Sequence, residues 1–427
     1  MTVDTVSPSL QALLERAIAS GAAPGLTACA FTRHGTFATA VAGVASVETG
    51  APMTTDTTLW LGSAGKTVVS LAALALVEKE GFVLDSHEEL VKVVPELGKD
   101  WPGTKIWSIF DGKDDKGGYK LKPASVGITL RHLLTHTSGF SAGFTSDEMM
   151  WFRETAPQVL GEIKGYNTPR LFEAGQGYNY GSSPGYVGLF IIRKSGKTLR
   201  RALQDLVLGP LGCEPDTIDA FLTPKMKTTL ATIAMRNSEG DSFTPLPFSW
   251  DMPQWKDEPP EGFMHVADAP LYGKLDAFAR VLRAFLNNTA PTAGGEPILS
   301  PAMWKQATED DLKLQGLSTP EKPFFYSAVQ WAARTVDQWC ELKDPNAKSG
   351  LGWNLMQTLV HRDEANSGLK PGTLEWSGAV NTYFFVDPAT GVGAVLSAHF
   401  FPFADPAMLE VRDEFFKWVY EHAPKDE

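Results

Sequence analysis

Apolar runs of two different periods lie in different parts of the chain and predict different elements. Residues 26–32 and 36–44 are apolar, strand-like runs joined by a tight polar link at 33–35, which predicts a hairpin. Residues 64–80 carry apolar side chains around most of the helical circumference, which predicts a central, buried helix. Apolar runs near the C-terminus predict three further strands: 374–377, 382–387 and 392–399.

Amphipathic patterns and end signals predict the remaining helices at 8–20, 88–94, 129–135, 145–154, 184–195, 198–207, 275–287 and 405–421. Strands therefore occur near both ends of the chain, with helices between them. This order predicts an α+β fold, in which helices flank an antiparallel sheet assembled from both chain ends. We expect a discontinuous sheet domain, 1–85 and 320–427, and an inserted, mainly helical domain, 86–319. A charged surface hairpin at 106–121 and a long loop rich in Pro and aromatic residues at 240–262 are expected as insertions.

Charge and cysteine usage narrow the classes of function. The 427 residues include 38 basic and 50 acidic side chains, a formal net charge of −12, which disfavours nucleic acid and anionic membrane surfaces as partners. Cys29, Cys213 and Cys340 are far apart, so we expect neither a disulfide framework nor a metal site. Residues 1–20 lack a basic segment followed by an apolar one, which predicts a cytoplasmic protein without a secretion signal.

Ser63 and Lys66 form a Ser-x-x-Lys pattern at the start of the predicted central helix. Residues three apart lie on one helical face, so the hydroxyl and the amine are expected within reach of each other. A serine needs a base to take its proton, and a lysine held neutral by burial can act as that base. By itself the pattern is weak, and an ordinary helix start is the favoured interpretation of a bare match. The overlapping Gly65-Lys66-Thr67 would suit a phosphate-binding loop only if position 60 were Gly, and it is Trp.

Tyr180 lies in residues 175–183 (GQGYNYGSS), a segment of glycines and small polar residues where backbone is expected to approach a neighbour closely. A phenol beside an ammonium group gives up its proton more readily and can relay protons. The alternative is a buried tyrosine with one satisfied hydroxyl, which is a common role in protein cores.

Two other patterns are weaker candidates. Residues 139–143 (GFSAG) match the G-x-S-x-G nucleophile motif, but that motif needs a strand before it, and here a helix is predicted. We therefore expect Ser141 not to be the nucleophile. His132 and His136 are spaced for one helical face, but no third ligand has the usual metal-binding spacing. Packed or capping histidines are the favoured interpretation.

These residues and two further segments resemble the serine β-lactamase-like superfamily. Residues 130–139 (LRHLLTHTSG) resemble its signature and are most similar to the class C β-lactamase branch and its family VIII carboxylesterases. Residues 172–175 (FEAG) with 180–182 (YGS) resemble the F-x-P-G and Y-x-[SN] elements, with Ala174 in place of the usual Pro.

Later segments extend the resemblance over residues 10–420. Residues 209–213 (GPLGC) are similar to the PLGM element, and residues 376–378 (WSG) stand where β-lactamases carry Lys-Thr-Gly. The charged hairpin at 106–121 resembles that of fungal acyltransferases that load statin side chains.

The resemblance implies a role for each matched position. Ser63 would be the acylated nucleophile, Lys66 would accept its proton, and Tyr180 would relay protons to the leaving group. The backbone N–H groups of Ser63 and Ala379 would hold the oxyanion. No metal and no organic cofactor is implied.

The resemblance also implies that Trp376, Ser377, Gly378 and Ala379 bind substrate. Trp376 offers no charge to a carboxylate, which disfavours lactams and favours neutral esters beside an aromatic wall. The resulting prediction is a serine hydrolase or acyltransferase that moves the acyl group of a small-molecule ester or thioester to water or to an alcohol acceptor. Two alternatives stay open at this point: a β-lactamase or D-Ala-D-Ala peptidase-like enzyme, and a non-catalytic binding protein on the same fold.

Overall fold

The computed structural model describes residues 7–141, 146–155, 163–237, 240, 242–246, 271–291, 294–317 and 351–424. Most of the loop predicted at 240–262 lies outside the described residues, as do Cys340 and the domain boundary predicted at residue 320.

The strands in chain order are β1 (Gly25–Thr32), β2 (Thr36–Gly43), β3 (Leu59–Trp60), β4 (Ser108–Lys113), β5 (Tyr119–Pro123), β6 (Ile218–Asp219), β7 (Ala234–Arg236), β8 (Phe243–Pro245), β9 (Tyr272–Gly273), β10 (Leu351–Trp353), β11 (Thr358–Val360), β12 (Leu374–Gly378), β13 (Thr382–Asp387), β14 (Val392–Ser397) and β15 (Phe400–Phe401). The α-helices are α1 (Pro8–Ala19), α2 (Lys66–Glu80), α3 (His87–Val93), α4 (Leu130–Leu134), α5 (Asp147–Thr155), α6 (Ile163–Tyr166), α7 (Ser183–Ser195), α8 (Leu199–Leu203), α9 (Pro224–Thr228), α10 (Leu275–Ala284), α11 (Pro301–Thr308), α12 (Asp311–Leu314) and α13 (Pro406–His422). Short 3-10 helices occur at Gly62–Gly65, Pro95–Leu97 and Phe285–Asn287, and a π-helical turn at Gln204–Leu208.

The largest sheet joins the two ends of the chain. Its seven strands run in the order β10-β11-β12-β13-β14-β1-β2, and every neighbouring pair is antiparallel. The link between the ends is the β1–β14 pair, in which Thr27 is opposite Ser397. The predicted antiparallel sheet built from both chain ends is therefore confirmed. The division into two domains at residues 85 and 320 stays a prediction.

Helices cover both faces of this sheet, so its central strands are buried on both sides. Side chains of a strand alternate between the faces, and β1 sends Cys29 and Phe31 to one core and Ala28 and Ala30 to the other. Helices α1 and α13 pack on the face that Ala28 and Ala30 share, while α10 packs on the opposite face. This double covering explains why β1 is buried along its whole length.

Helix α2 occupies the centre of the helical layer, as its sequence predicts. All its residues from Lys66 to Val77 are buried, and the helix ends at Gly81, whose φ of 61° gives the left-handed C-cap that glycine favours. A 3-10 turn precedes it, so Ser63 and Lys66 lie on either side of the junction between two helix types. Tertiary packing, rather than amphipathicity, therefore fixes the direction of α2.

The charged insert predicted at 106–121 forms the β4–β5 hairpin. Within the described residues, the helices are all too short or too polar to cross a membrane. The cytoplasmic location inferred from the sequence stays a prediction.

Candidate active site

Ser63 and Lys66 meet at the N-terminal end of α2. Lys66 Nζ donates a hydrogen bond to Ser63 Oγ over 2.9 Å. The tight 3-10 turn at Gly62–Gly65 brings the two side chains together, because residues three apart eclipse each other in that helix type. Lys66 is 6% exposed, whereas Ser63 is half-buried and can be reached from outside. The amine is thus shielded, and the hydroxyl faces a path to solvent.

Tyr180 lies beside the same amine, within a group of aromatic rings. Lys66 Nζ is 5.2 Å from the centroid of the Tyr180 ring, a distance at which a ring face attracts a cation. The Tyr180 ring is 4.6 Å from the His136 ring and 5.2 Å from Trp376. Trp353 meets Trp376 edge-on at 4.6 Å. These rings exclude water from one side of the Lys66 amine, which strengthens electrostatic interactions there.

The segment at 130–139 supports the loop that carries Tyr180. The Gly175 N–H donates to the Thr137 carbonyl over 2.8 Å, and the Asn179 N–H donates to the His136 carbonyl over 3.0 Å. At Gly181 an added Cβ would lie 2.7 Å from the Phe140 carbonyl oxygen, closer than real contacts allow. Only glycine therefore permits this approach of the two loops. Tyr180 owes its position to the backbone of an earlier segment.

The C-terminal end of β12 lies against the turn that holds Ser63. A Cβ at Gly62 would be 3.1 Å from the Ala379 nitrogen, and a Cβ at Gly378 would clash with the Leu61 carbonyl oxygen. Gly62 also has a φ of 53°, in the left-handed region. Two glycines thus let the Ala379 amide approach the residue next to Ser63.

Strand β12 pairs with β13 from Leu374 to Gly378 and with β11 at Leu374 and Glu375. Its C-terminal end therefore reaches the turn that holds Ser63 as part of the main sheet.

Trp376 packs rather than protrudes. Its side chain is 5% exposed, and its ring contacts include Tyr180 and Trp353. The position where the resemblance would place a lysine ammonium is filled by an uncharged indole. Its role as a wall of the substrate site stays a prediction, and Ser377 beside it is half-buried.

His136 belongs to this site, although its sequence pattern suggested only a packed histidine. It is 2% exposed, and burial, followed by the nearby Lys66 charge, holds the pKa of His136 well below its ordinary value. Helix α4 ends at Leu134, and His136 has a φ of 55°, so it does not share a helical face with His132. The backbone leaves the helix after Leu134 and is left-handed at His136 and at Gly139. Gly139 is the one sequence signal that could have indicated this change.

His132 is a capping residue, as predicted. Its Nδ1 accepts from the Thr129 N–H over 3.2 Å, and the Thr129 hydroxyl accepts from the His132 N–H over 3.3 Å, which closes a capping box on α4. Burial lowers the pKa of His132 to about 4. In the described ranges, His, Cys, Asp and Glu side chains form no group of three that could hold a metal ion.

Ser141 and His399 have structural surroundings. The Ser141 hydroxyl is buried and donates to Ser146 Oγ over 3.3 Å, and no strand of the described residues precedes it as the nucleophile motif requires. His399 Nε2 accepts from the Trp60 N–H over 3.0 Å, and burial lowers the pKa of His399 to about 4. His399 thus anchors β3, which leads directly into the Ser63 turn.

Known proteins similar to this chain act on esters or transfer acyl groups. Acyltransferase calJ of Penicillium decumbens is 26% identical over 377 residues, which cover 86% of this chain and 82% of its own. Lovastatin esterase of Penicillium rubens is 24% identical over 429 residues, which cover 95% and 96%. Esterase EstB of Burkholderia gladioli is 26% identical, with coverage of 83% and 80%. The predicted reaction class, hydrolysis or transfer of an ester-borne acyl group, is confirmed at this level.

Solved structures support the same fold. Unliganded simvastatin synthase from Aspergillus terreus superposes with a TM-score of 0.77 at 20% identity, covering 98% of this chain and 100% of that one. A hydrolase with promiscuous acyltransferase activity superposes with a TM-score of 0.70 at 17% identity, covering 95% and 97%. The Beta-lactamase family matches residues 10–414, and with nearly the whole chain matched, this protein belongs to that family.

Proposed function

We propose that this protein is a serine esterase or acyltransferase that forms an acyl-enzyme at Ser63. The observation that carries the proposal is the 2.9 Å contact between Lys66 Nζ and a half-buried Ser63 Oγ. At this separation the same two atoms can exchange a proton in either direction, because general acid-base catalysis needs hydrogen-bond reach between the partners.

In the first step, Ser63 Oγ attacks the carbonyl carbon of an ester while its proton moves to the Lys66 amine, which acts as the base in its unprotonated form. A C–O bond forms to Ser63, and the carbonyl oxygen becomes an oxyanion. Collapse of this intermediate breaks the bond to the alcohol or thiol, which leaves after it takes a proton by way of Tyr180. The enzyme then carries an ester at Ser63, and proton and electron counts are unchanged.

The oxyanion is held by the N–H groups of Ser63 and Ala379. The support for the second donor is the close approach of the Ala379 nitrogen to Gly62, the residue before Ser63. Fixed backbone donors stabilise charge that develops in the transition state without reorganising. Each such donor contributes about 2.7–4 kcal/mol when it is well placed.

In the second step, a water molecule or an alcohol attacks the acyl-enzyme. Tyr180 passes the proton of the attacking group on to Lys66, and Lys66 returns it to Ser63 Oγ as the bond between Ser63 Oγ and the acyl carbon breaks. Hydrolysis and transfer use the same protein groups and differ only in which acceptor reaches the carbonyl carbon.

The substrates we propose are uncharged small-molecule carboxylic esters or thioesters. Trp376 places an uncharged aromatic side chain near the end of β12, which suits an apolar acyl or alcohol group. Relatives named as a lovastatin esterase and as acyltransferases agree with this substrate class. Trp at position 376 offers no charge to pair with the carboxylate of a lactam.

Substitution of Ser63 tests the proposal. We expect Ser63→Ala to lower kcat/KM for p-nitrophenyl butyrate by at least about 10³-fold, because removal of a nucleophile from a cooperating set abolishes most of its catalysis. Ser141→Ala is the matched control, since it removes another buried hydroxyl, and it should keep kcat/KM within about threefold. Mass spectrometry after a fluorophosphonate probe should find the adduct on Ser63. Turnover by Ser63→Ala at the wild-type rate would refute the assignment.

A parallel assay defines the reaction. Mass spectrometry of Ser63 across a panel of esters and thioesters, with and without alcohols, should show an acyl adduct that decays faster when a natural acceptor is present. Nitrocefin hydrolysis at an efficiency close to that for the best ester would contradict the substrate class.

A further inference from the structure

A small cavity borders Lys66 inside the core. Its lining includes Lys66, Ser70, His136, Trp353 and Met356. Its volume, taken over the positions that the centre of a water molecule can occupy, is about 10 Å³, which is room for about one water molecule. The proposed mechanism does not use this cavity.

Three polar side chains share the wall of this cavity. Lys66 and Ser70 are four residues apart on α2, so they lie on one face of the helix. His136 comes from the segment at 130–139 that packs against α2 and the Tyr180 loop. A buried water is stable where two to four polar groups converge on it, and an ammonium or amine, a hydroxyl and an imidazole meet that requirement.

A hydrogen bond to Nδ1 of His136 indicates which ring nitrogen carries the proton. The Gly181 N–H donates to His136 Nδ1 over 3.4 Å, so Nδ1 acts as the acceptor. Burial keeps the ring uncharged, since it holds the pKa of His136 well below its ordinary value. A neutral imidazole with an accepting Nδ1 carries its proton on Nε2. With Nδ1 engaged by Gly181, the Nε2–H is the polar group of the ring that can donate into the cavity.

We propose that His136 is a positioning residue for Lys66, and that its Nε2–H donates to a water in this cavity that also hydrogen-bonds Lys66 Nζ and Ser70 Oγ. This inference rests on the proposed role of Lys66 as the base for Ser63. The water accepts from His136 with one lone pair and from an N–H of the Lys66 amine with the other, and it donates to Ser70 Oγ. The lone pair of the amine is then left for Ser63, whose proton it takes.

Among the described residues, the titratable side chains beside Lys66 are Tyr180, whose ring centroid is 5.2 Å from Nζ, and His136 on the cavity wall. The Ser63 hydroxyl is also in contact with Nζ, at 2.9 Å. His136 stays uncharged through the range in which esterases are assayed, so its contribution to the amine is that of a fixed donor.

The variant His136→Asn removes the proposed contact of Nε2 with the water and keeps the contact of Nδ1 with Gly181. Asparagine tolerates the left-handed backbone that His136 adopts at φ 55°, and its Oδ1 can replace Nδ1 as the acceptor for Gly181. It is too short to replace Nε2. We expect His136→Asn to fold, to react with a fluorophosphonate at Ser63 about tenfold more slowly at pH 7, and to reach its full rate about one pH unit higher than the wild type.

Two further variants make the comparison specific. His132→Asn is the matched control, since it alters another buried histidine whose role is to cap α4, and its labelling rate and pH profile should equal those of the wild type. His136→Gln carries an amide long enough to direct an N–H towards the cavity, so it should recover part of the lost rate.

Several results would overturn the inference. They are a wild-type pH profile for His136→Asn, an equal loss of rate at every pH, or a high-resolution crystal structure with no water between Lys66 Nζ, Ser70 Oγ and His136. The proposed function fails separately, if Ser63→Ala is labelled as fast as the wild type.

Discussion

At the scale of single residues, the site contains side chains that carry a charge or a proton and other side chains that only position them. The Lys66 amine has Ser63 Oγ at 2.9 Å and the Tyr180 ring at 5.2 Å. Tyr180 itself is held by ring contacts with His136 and Trp376. Because those contacts involve the ring, its hydroxyl can be removed without disturbing the packing.

Tyr180→Phe should therefore change rate far more than stability. A proton relay contributes about 10²–10⁴-fold, and we expect kcat for p-nitrophenyl butyrate to fall within that range. The free energy of unfolding should change by less than about 1 kcal/mol, since the ring and its neighbours stay. Steady-state kinetics and urea unfolding measure the two effects.

Tyr178→Phe is the control for this variant. The hydroxyl of Tyr178 is also buried, and its ring is 5.7 Å from Trp353 and 6.1 Å from His136, but the proposed mechanism gives it no proton to carry. Its loss of a hydroxyl should leave kcat within about threefold. Equal losses in the two variants would mean that Tyr180 acts through packing alone.

At the scale of elements, catalysis depends on how closely β12 approaches the turn before α2. Gly378→Ala should lower both activity and stability, because the new Cβ would clash with the Leu61 carbonyl oxygen and move β12 away from Ser63. Misplacement of the Ala379 donor alone is worth about 10²–10³-fold in kcat. Gly35→Ala is the control, since a Cβ there has open space. An unchanged kcat in Gly378→Ala would show that Ala379 is not an oxyanion donor.

The sequence predicts the long elements well and the short ones poorly. The β1–β2 hairpin, α2, α7, and the β12 to β14 strands follow from long apolar runs and clear turn residues. Strands β10 and β11 were not predicted, because three residues are too few to establish a period of two. Their places in the sheet depend on pairing with β12, which is a tertiary contact.

The part of the site that comes from one short segment of the chain could be predicted from the sequence. Ser63 and Lys66 lie three residues apart, so their contact follows from helical spacing. His136 and Gly62 could not be assigned in this way, because their roles arise from contacts with Lys66 and Ala379, which lie at least 70 and 300 residues away in the chain, respectively. Such contacts exist only once the chain has folded.

At the scale of the whole molecule, burial of histidines in several regions links folding to pH. His132 lies in the helical layer, His136 lies beside Lys66, and His399 follows the sheet strand β14. Burial is the largest cause of a lowered pKa in all three. Glu375 acts in the opposite sense, because burial raises its pKa to about 8.

Acidification should therefore destabilise the fold between pH 6.5 and about 4. In this range the unfolded chain protonates His132 and His399, whose ordinary pKa is 6.5, while the folded protein keeps them neutral because their pKa values are about 4. Protons thus favour the unfolded state, and each such histidine contributes up to about 1.4 kcal/mol per pH unit. Glu375 opposes this effect at pH values above 4.5, its ordinary pKa. The combined effect of the three histidines on the free energy of unfolding is larger than that of this one carboxyl group.

His132→Asn isolates one of these contributions. The loss of the cap costs a similar free energy at every pH, but the variant has one fewer group to protonate on unfolding. We expect its free energy of unfolding, measured with urea at pH 6.5, 5.5 and 4.5, to fall less steeply than that of the wild type, by about 1 kcal/mol per pH unit. Parallel curves for the two proteins would contradict the prediction, since they would mean that His132 titrates alike in the folded and unfolded chains.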